Sequence, residues 1–244
     1  MTDDADGPDT GLGARRKALR QRPDYPRLVL IVALSGAAAG SYPVTVLSAS
    51  LPTIAESLGA GDNTITWVIA APLLAFALAT PIAGKMGDLH GHRRIYLSGF
   101  MAGCVLSYAT ALAWDVASLI VLRTLAQTAI AVSGPSAMAM ILSIYPKRDR
   151  PRALGIWAAV VALSPAVGVV TGGPLIEWMG WRALFVVQGT TVVIALVAAV
   201  QIVPETPARP DTRFDIPGSV LLGAGTASLL IAINRGLNSG WDSP

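Results

Sequence analysis

The sequence is short of several things, and each shortage closes off a class of function. It has one cysteine, Cys104, in 244 residues, so neither an intrachain disulfide nor a thiolate metal cluster is available. Its two histidines, His90 and His92, stand in one short polar stretch, which leaves no imidazole elsewhere for a hydrolase or a metal site. No phosphate-cradling Gly-x-x-x-x-Gly-Lys-Ser/Thr run occurs, so a nucleotide-driven pump is not encoded here. Ser136, after Gly134 and Pro135, lacks the flanking glycines of a nucleophile elbow. Enzyme chemistry is therefore not expected, and no cofactor or metal is implied. Charged residues make up 14% of the chain, against about 25% in soluble domains.

What is abundant is apolar: 53% of residues are hydrophobic, and the mean hydropathy is +0.57. Seven apolar runs stand at about Leu28–Ser50, Thr66–Gly84, Ile95–Trp114, Ala117–Ile144, Arg152–Leu175, Ala183–Val203 and Ile216–Arg235. Each is near the roughly 20 residues that cross a bilayer as a helix. They lack the alternation of barrel strands, and lipid leaves the backbone no partner outside the segment, so helices are expected. They are also rich in Gly, Ala and Ser, the residues that let membrane helices approach closely. Residues 1–26 are polar, acidic at first and then basic, without apolar periodicity, and are expected to be a disordered tail.

Charge gives the expected orientation. Fifteen of the eighteen Lys and Arg residues fall in the tail with the adjoining Arg27 or in every second connection: residues 85–94, 147–152 and 209–213. The opposite side holds only Arg182 and Arg235, and Arg123 lies within a run. The positive-inside rule then puts the N-terminus in the cytoplasm of a multi-pass protein of the cell membrane. Spread this way, the basic residues read as topology signals and not as a nucleic-acid surface.

One pattern occurs twice. Gly84, Met86, Asp88, Gly91 and Arg93 return as Gly173, Leu175, Glu177, Gly180 and Arg182, every position shifted by the same 89 residues. The same shift carries Leu28, where the first run starts, to Ala117, where the fourth starts. An offset of three spans reverses direction through the membrane, so the two copies are expected on opposite sides. This is an inverted repeat of three helices plus three, the architecture of many secondary transporters.

On these residues the chain resembles the major facilitator superfamily, and within it the fourteen-helix drug:proton antiporters of the EmrB/QacA-like group. The stretch from Gly84 to Arg94 resembles that family's loop motif, Gly-x-Leu-x-Asp-Arg-x-Gly-Arg-Arg, with Leu89 and His92 where arginines are usual. The resemblance implies a conformational latch at Gly84, Asp88, Gly91, Arg93 and Arg94; the other reading is that these charges only hold the loop inside. Glu177, Gly180 and Arg182 form the external repeat of the latch. Pro165, Gly168, Gly172 and Gly173 resemble the antiporter motif Gly-Pro-x-x-Gly-Gly, with Val169 in the proline's place; plain helix packing is the alternative. Gly180-Trp181-Arg182 and the later Phe214-Asp215-Ile216-Pro217-Gly218 also resemble this subfamily.

Arg123 is the one charge well inside a run, and a charge at depth is costly. The resemblance implies proton coupling, with Ala126 and Gln127 at the two following motif steps; the alternative is a side chain that snorkels to the outer surface. In the first run, Pro43 and Ser48 stand where the family has an aspartate and an asparagine. No Asp or Glu lies in the middle of any run, so the carboxylate that burial would tune for proton transfer is missing. Pro43 is expected to kink or break the first helix. Tyr42, Trp67, Trp157 and Gln188 are candidates for a substrate cavity, and also ordinary core or interfacial residues.

The expected organisation is a tail at 1–26, a six-helix all-α bundle at 27–203, a cytoplasmic linker at 204–215, and a seventh transmembrane helix with an external end at 216–244. By the resemblance this is the N-terminal half of a transporter plus one linker helix, either truncated or paired with a second polypeptide. The partners implied are the lipid bilayer, a small amphiphilic substrate and protons. Two readings remain: an efflux transporter of which this is a half, and a non-transporting membrane remnant or partner-binding fragment.

Overall fold

A computed structural model describes residues 11–206 and six helical positions beyond them (218, 221, 224, 225, 228 and 232). The described residues are helical with no strand. The elements are α1 (Gly11–Arg20), α2 (Tyr25–Leu58), α3 (Asp62–Ile65), α4 (Trp67–His90), α5 (His92–Ala111), α6 (Val116–Ala131), α7 (Ser133–Ile144), α8 (Arg150–Met179) and α9 (Arg182–Ile202).

Local chemistry sets the boundaries. α2 carries a proline in its first turn, where the missing N–H costs nothing, and stops at Gly59, whose φ of 61° is left-handed. α6 opens on a capping box. Asp115 accepts from the Ser118 backbone at 2.8 Å, and the Ser118 hydroxyl reaches back to the Asp115 N–H at 3.2 Å. The Ser118 hydroxyl and its backbone N–H together hold the Asp115 carboxyl below its ordinary value.

Several expectations need correction. Within the tail expected to be disordered, residues 11–20 form α1, tied to the bundle by Arg16, which donates to Val200 O at 2.8 Å. α2 runs unbroken through Pro43 and Pro52; at 34 residues it is about 50 Å long. The run at 117–144 is two helices parted at Val132, because Pro135 lacks the N–H that would continue the ladder. The Gly84–Arg94 stretch, read as a loop, is helix on both sides of Gly91. Nothing between Gly84 and His90 breaks a helix, and polarity alone does not.

Among the described residues, five stretches are long and apolar enough to cross a membrane: Tyr25–Leu58, Asn63–His90, Val116–Ile144, Arg150–Met179 and Arg182–Ile202. α5, the third expected span, is 20 residues long, but His92, Arg93, Arg94 and several hydroxyl residues dilute its apolar density. The expected seventh span, residues 216–235, lies outside the described residues apart from the scattered positions above. So does the linker beyond Thr206.

Packing follows the repeat. α2 lies against α8 as α6 lies against α4; α2 lies against α9 as α6 and α7 lie against α5; α5 pairs with α9. Exchanging the two triplets leaves this pattern unchanged, as an internal two-fold requires. The interior divides into two clusters. One, toward the Gly91 end, includes Tyr96, Phe100, Ile141 and Val192. The other, toward the Gly180 end, includes Leu47, Ile54, Leu119 and Phe185.

Candidate functional site

The two copies of the repeated pattern share one backbone device. Gly91 joins α4 to α5 with φ 91°, and Gly180 joins α8 to α9 with φ 76°. Both values lie where only glycine is unstrained. Besides Gly59, they are the only described residues with positive φ. A Cβ on Gly91 would also stand 2.9 Å from Thr206 O, so the chain leaving α9 crosses directly over the joint.

The pattern's arginines do matching work. Arg93, in the first turn of α5, donates to Val200 O in the last turn of α9 at 3.1 Å and pairs with Glu205. Arg182, which opens α9, donates to Ala113 O just past the end of α5 at 2.9 Å and covers the Trp181 ring at 4.2 Å. Each guanidinium thus caps the carbonyl end of the other helix, where the macrodipole favours a cation. It also follows that α5 and α9 are antiparallel and that the two copies lie at opposite ends of the bundle.

The remaining latch residues divide. Asp88 Oδ1 lies 3.3 Å from His92 Nε2, one turn apart across Gly91, and does not reach Arg93 or Arg94. Arg94 is exposed, with no partner among the described residues. Glu177, the counterpart of Asp88, is likewise exposed and unpaired among them. Neither leading glycine is required by space: a Cβ on Gly84 would make ordinary contact with Pro135, and one on Gly173 would meet nothing. The tight position is Gly87, which the sequence reading passed over. A Cβ there would lie 2.7 Å from His92 Cε1 and 3.1 Å from Ser136 Oγ. Its signal was the Gly87-x-x-x-Gly91 spacing.

On α8, Gly168 and Gly172 form a small-residue stripe against α2. A Cβ on Gly168 would stand 2.7 Å from Tyr42 O, and one on Gly172 would collide with Val46. The close approach lets Thr45 Oγ1 donate to Pro165 O at 2.7 Å and Thr171 Oγ1 to the Tyr42 hydroxyl at 3.2 Å. So Pro165, Gly168 and Gly172 converge on one helix–helix contact, and Gly173 stands outside it.

Arg123 is 2% exposed and does not snorkel. Its Nε donates to Val68 O, in the first turn of α4, at 3.0 Å, and its guanidinium lies 5.7 Å over the Phe185 ring. One turn along α6, Gln127 accepts from Gln188 Nε2 at 3.1 Å and donates to Gly40 O at 3.5 Å. No carboxylate pairs with Arg123 among the described residues.

Arg123 and Gln127 open onto a cavity of about 330 Å³ walled by α2, α4, α5, α6, α7 and α8. Its walls are mostly apolar, with Phe76, Tyr96, Phe100 and Trp157 supplying rings. Gly36 makes room for two of these: a Cβ there would lie 2.5 Å from both Phe100 Cζ and the Tyr96 hydroxyl. Of the four proposed cavity residues, Trp157 lines it; Tyr42, Trp67 and Gln188 do not. Pro43 is buried beside it but is not part of its wall.

Comparison with known proteins agrees with this geometry. The chain is 33% identical over 224 residues to the tetracenomycin C resistance and export protein of Streptomyces glaucescens, covering 91% of this chain and 41% of that protein. It is 29% identical to the cephamycin export protein of Amycolatopsis lactamdurans, covering 94% and 48%. The chain spans less than half the length of these relatives. Among solved structures, a bacterial homolog of the human lysosomal transporter Spinster, in an inward-facing and occupied conformation, superposes with a TM-score of 0.66. Identity there is 20%, over 78% of this chain and 47% of that one. Residues 28–237 match the profile of the Major Facilitator Superfamily, and with the paired triplets, the two glycine joints and the buried arginine in place, the chain belongs to that superfamily.

Proposed function

We propose that this bundle is one half of a secondary active efflux transporter of the fourteen-helix drug:proton group, working against a second bundle to export small amphiphilic molecules. The observation that carries the reading is the cavity itself. A space of about 330 Å³ lies within the usual range of ligand sites, inside helices that lipid surrounds, with one buried charge on its wall. The drug-resistance and export relatives support it. The glycine joints serve as the latch at the cytoplasmic end and its external counterpart, and Arg123 is the residue we assign to coupling. The N-terminus faces the cytoplasm of the cell membrane, on the strength of the basic connections.

A membrane fragment that binds a partner without transporting is the second reading. What favours it is that α4 and α8 leave large apolar side chains uncovered, Phe76, Ile82, Val170 and Trp178 among them, and that no carboxylate lies at depth among the described residues. Accumulation of a neutral lipophilic dye such as Nile red in expressing cells, with and without a proton gradient, separates the two. Lower accumulation that collapses with the gradient supports export; accumulation identical to non-expressing cells leaves the second reading.

A further inference from the structure

The polar groups on the cavity wall are not evenly divided between donors and acceptors. Gln127 uses its oxygen on Gln188 and one N–H on Gly40 O. Ser41 donates to Ala37 O at 3.0 Å, Ser133 to Tyr96 O at 3.5 Å, and Tyr96 to Val32 O at 3.4 Å. Two groups remain. Arg123 has one nitrogen, Nε, engaged with Val68 O, and its η nitrogens have no hydrogen-bond partner among the described residues. Trp157 Nε1 is buried with no acceptor. Both are donors; the Trp157 nitrogen is closed off from the cavity, and the Arg123 guanidinium, which stays protonated in a protein, lies on its wall.

No Asp or Glu lies on the wall, and none pairs with Arg123 among the described residues. A buried cation whose η nitrogens have no acceptor is unfavourable, and a ligand that supplies acceptors there relieves it. A cationic ligand would add a second positive charge to a low-dielectric space that already holds one.

We infer that the cavity takes an anionic, acceptor-bearing aromatic molecule, such as an aryl carboxylate or phenolate, with its charge toward Arg123 and its ring among Phe76, Tyr96 and Phe100. This rests on the cavity being the ligand site, and it narrows that reading to one charge class. The Phe76, Tyr96 and Phe100 rings give the apolar body its contact area, since offset and edge-on ring packing tolerates many skeletons. Selection then comes from charge sign and not from shape.

Three probes of matched shape test this on the full chain in phosphatidylcholine nanodiscs: 2-naphthoate, 2-naphthamide and 2-naphthylmethylammonium. Binding is read by calorimetry and by quenching of tryptophan fluorescence. The expected order is naphthoate over the amide over the ammonium, with naphthoate favoured over the ammonium by about tenfold or more. Arg123→Gln should bring naphthoate down to the level of the amide while the amide itself changes little. Arg123→Lys should keep the preference for the anion. Equal binding of all three probes to the unaltered chain overturns the charge assignment and leaves the cavity reading standing. Binding of none of them overturns both. The ranking on the unaltered chain decides the matter even if the Arg123 variants fail to fold. A parallel measurement with phosphatidylglycerol in the nanodisc identifies the source of the acceptor. Competition there makes the occupant a lipid headgroup, and its absence makes it a free solute; either outcome keeps the anion.

Discussion

Arg93 and Arg182 stand 89 residues apart, and each caps the helix that the other begins. Arg93, from α5, reaches Val200 O at 3.1 Å in α9; Arg182, from α9, reaches Ala113 O at 2.9 Å beyond α5. The antiparallel α5–α9 pair is therefore clamped by an arginine at each end, with Arg16 of α1 sharing Val200 O at the first. This gives the repeated arginine a cause in helix-terminus electrostatics, independent of any transport role.

Replacing either arginine with glutamine is expected to cost about 1–2 kcal/mol, the range for a charge-assisted bond to a helix C-terminus. The double variant should lose the sum, because the two sites share no partner and lie at opposite ends of the bundle. Chemical unfolding of the detergent-solubilised chain, followed by circular dichroism, measures this. Glu205→Gln is expected to cost less than Arg93→Gln. Glu205 is about half exposed, and solvent-facing pairs contribute less than about 1 kcal/mol. If the two cost the same, the ion pair and not the helix end holds Arg93.

The glycines should not behave alike, although the repeated pattern treats them alike. Gly84→Ala and Gly173→Ala are expected to lie within about 0.5 kcal/mol of the parent, since space is open at both, as for ordinary surface changes. Gly91→Ala meets both a left-handed φ and Thr206 O, and is expected to cost about 1–3 kcal/mol. Gly168→Ala and Gly172→Ala must push α8 off Tyr42 and Val46 and should cost a similar amount. Thermal stability of the five variants in one detergent checks the order. A destabilised Gly173→Ala would mean that something covers that face in the membrane.

The sequence made the helices and their direction legible, because apolar runs of membrane length and a 3+3 repeat are one-dimensional signals. It hid the turn chemistry inside the repeat. Between Gly84 and His90 the residues are polar enough to read as a loop, yet only Gly91 interrupts the backbone ladder. The partners of Arg93 and Arg182 were unreadable for a different reason: Val200 O and Ala113 O are backbone atoms some 107 and 69 positions away in the chain, and a carbonyl leaves no trace in residue type. Arg123 stood out as a charge at depth, whereas Gln188 looked like cavity wall and instead lies behind Gln127. Recurrence in the pattern also misled at Gly84 and Gly173, where identity repeats but crowding does not.

Gln188 is 2% exposed and its amide is tied to Gln127. Gln188→Leu alone strands Gln127 Oε1 and is expected to cost about 1–3 kcal/mol, the penalty for an unsatisfied buried group. Gln127→Leu with Gln188→Leu should cost less than the sum of the single changes, because the second removes the group that the first orphaned. An additive double variant would show that the two amides do not share a bond in the membrane.

The sharpest test of the inverted repeat uses the near absence of thiols. Cys104 is the only cysteine, and it lies part-buried in α5, so Cys104→Ala gives a background with none. His90 precedes the first glycine joint and is exposed; Trp178, two residues before the second, is 88% exposed. Cysteine placed at each site in turn reports which compartment it faces through a membrane-impermeant maleimide applied to intact cells and to inside-out vesicles. If Arg93 and Arg182 cap opposite ends of one antiparallel pair, His90→Cys reacts only in the vesicles and Trp178→Cys only in the cells. Reaction of both from one side would require α5 and α9 to run parallel. Arg182 could not then reach Ala113 while Arg93 reached Val200, and the two-fold arrangement of the triplets would be lost with that clamp.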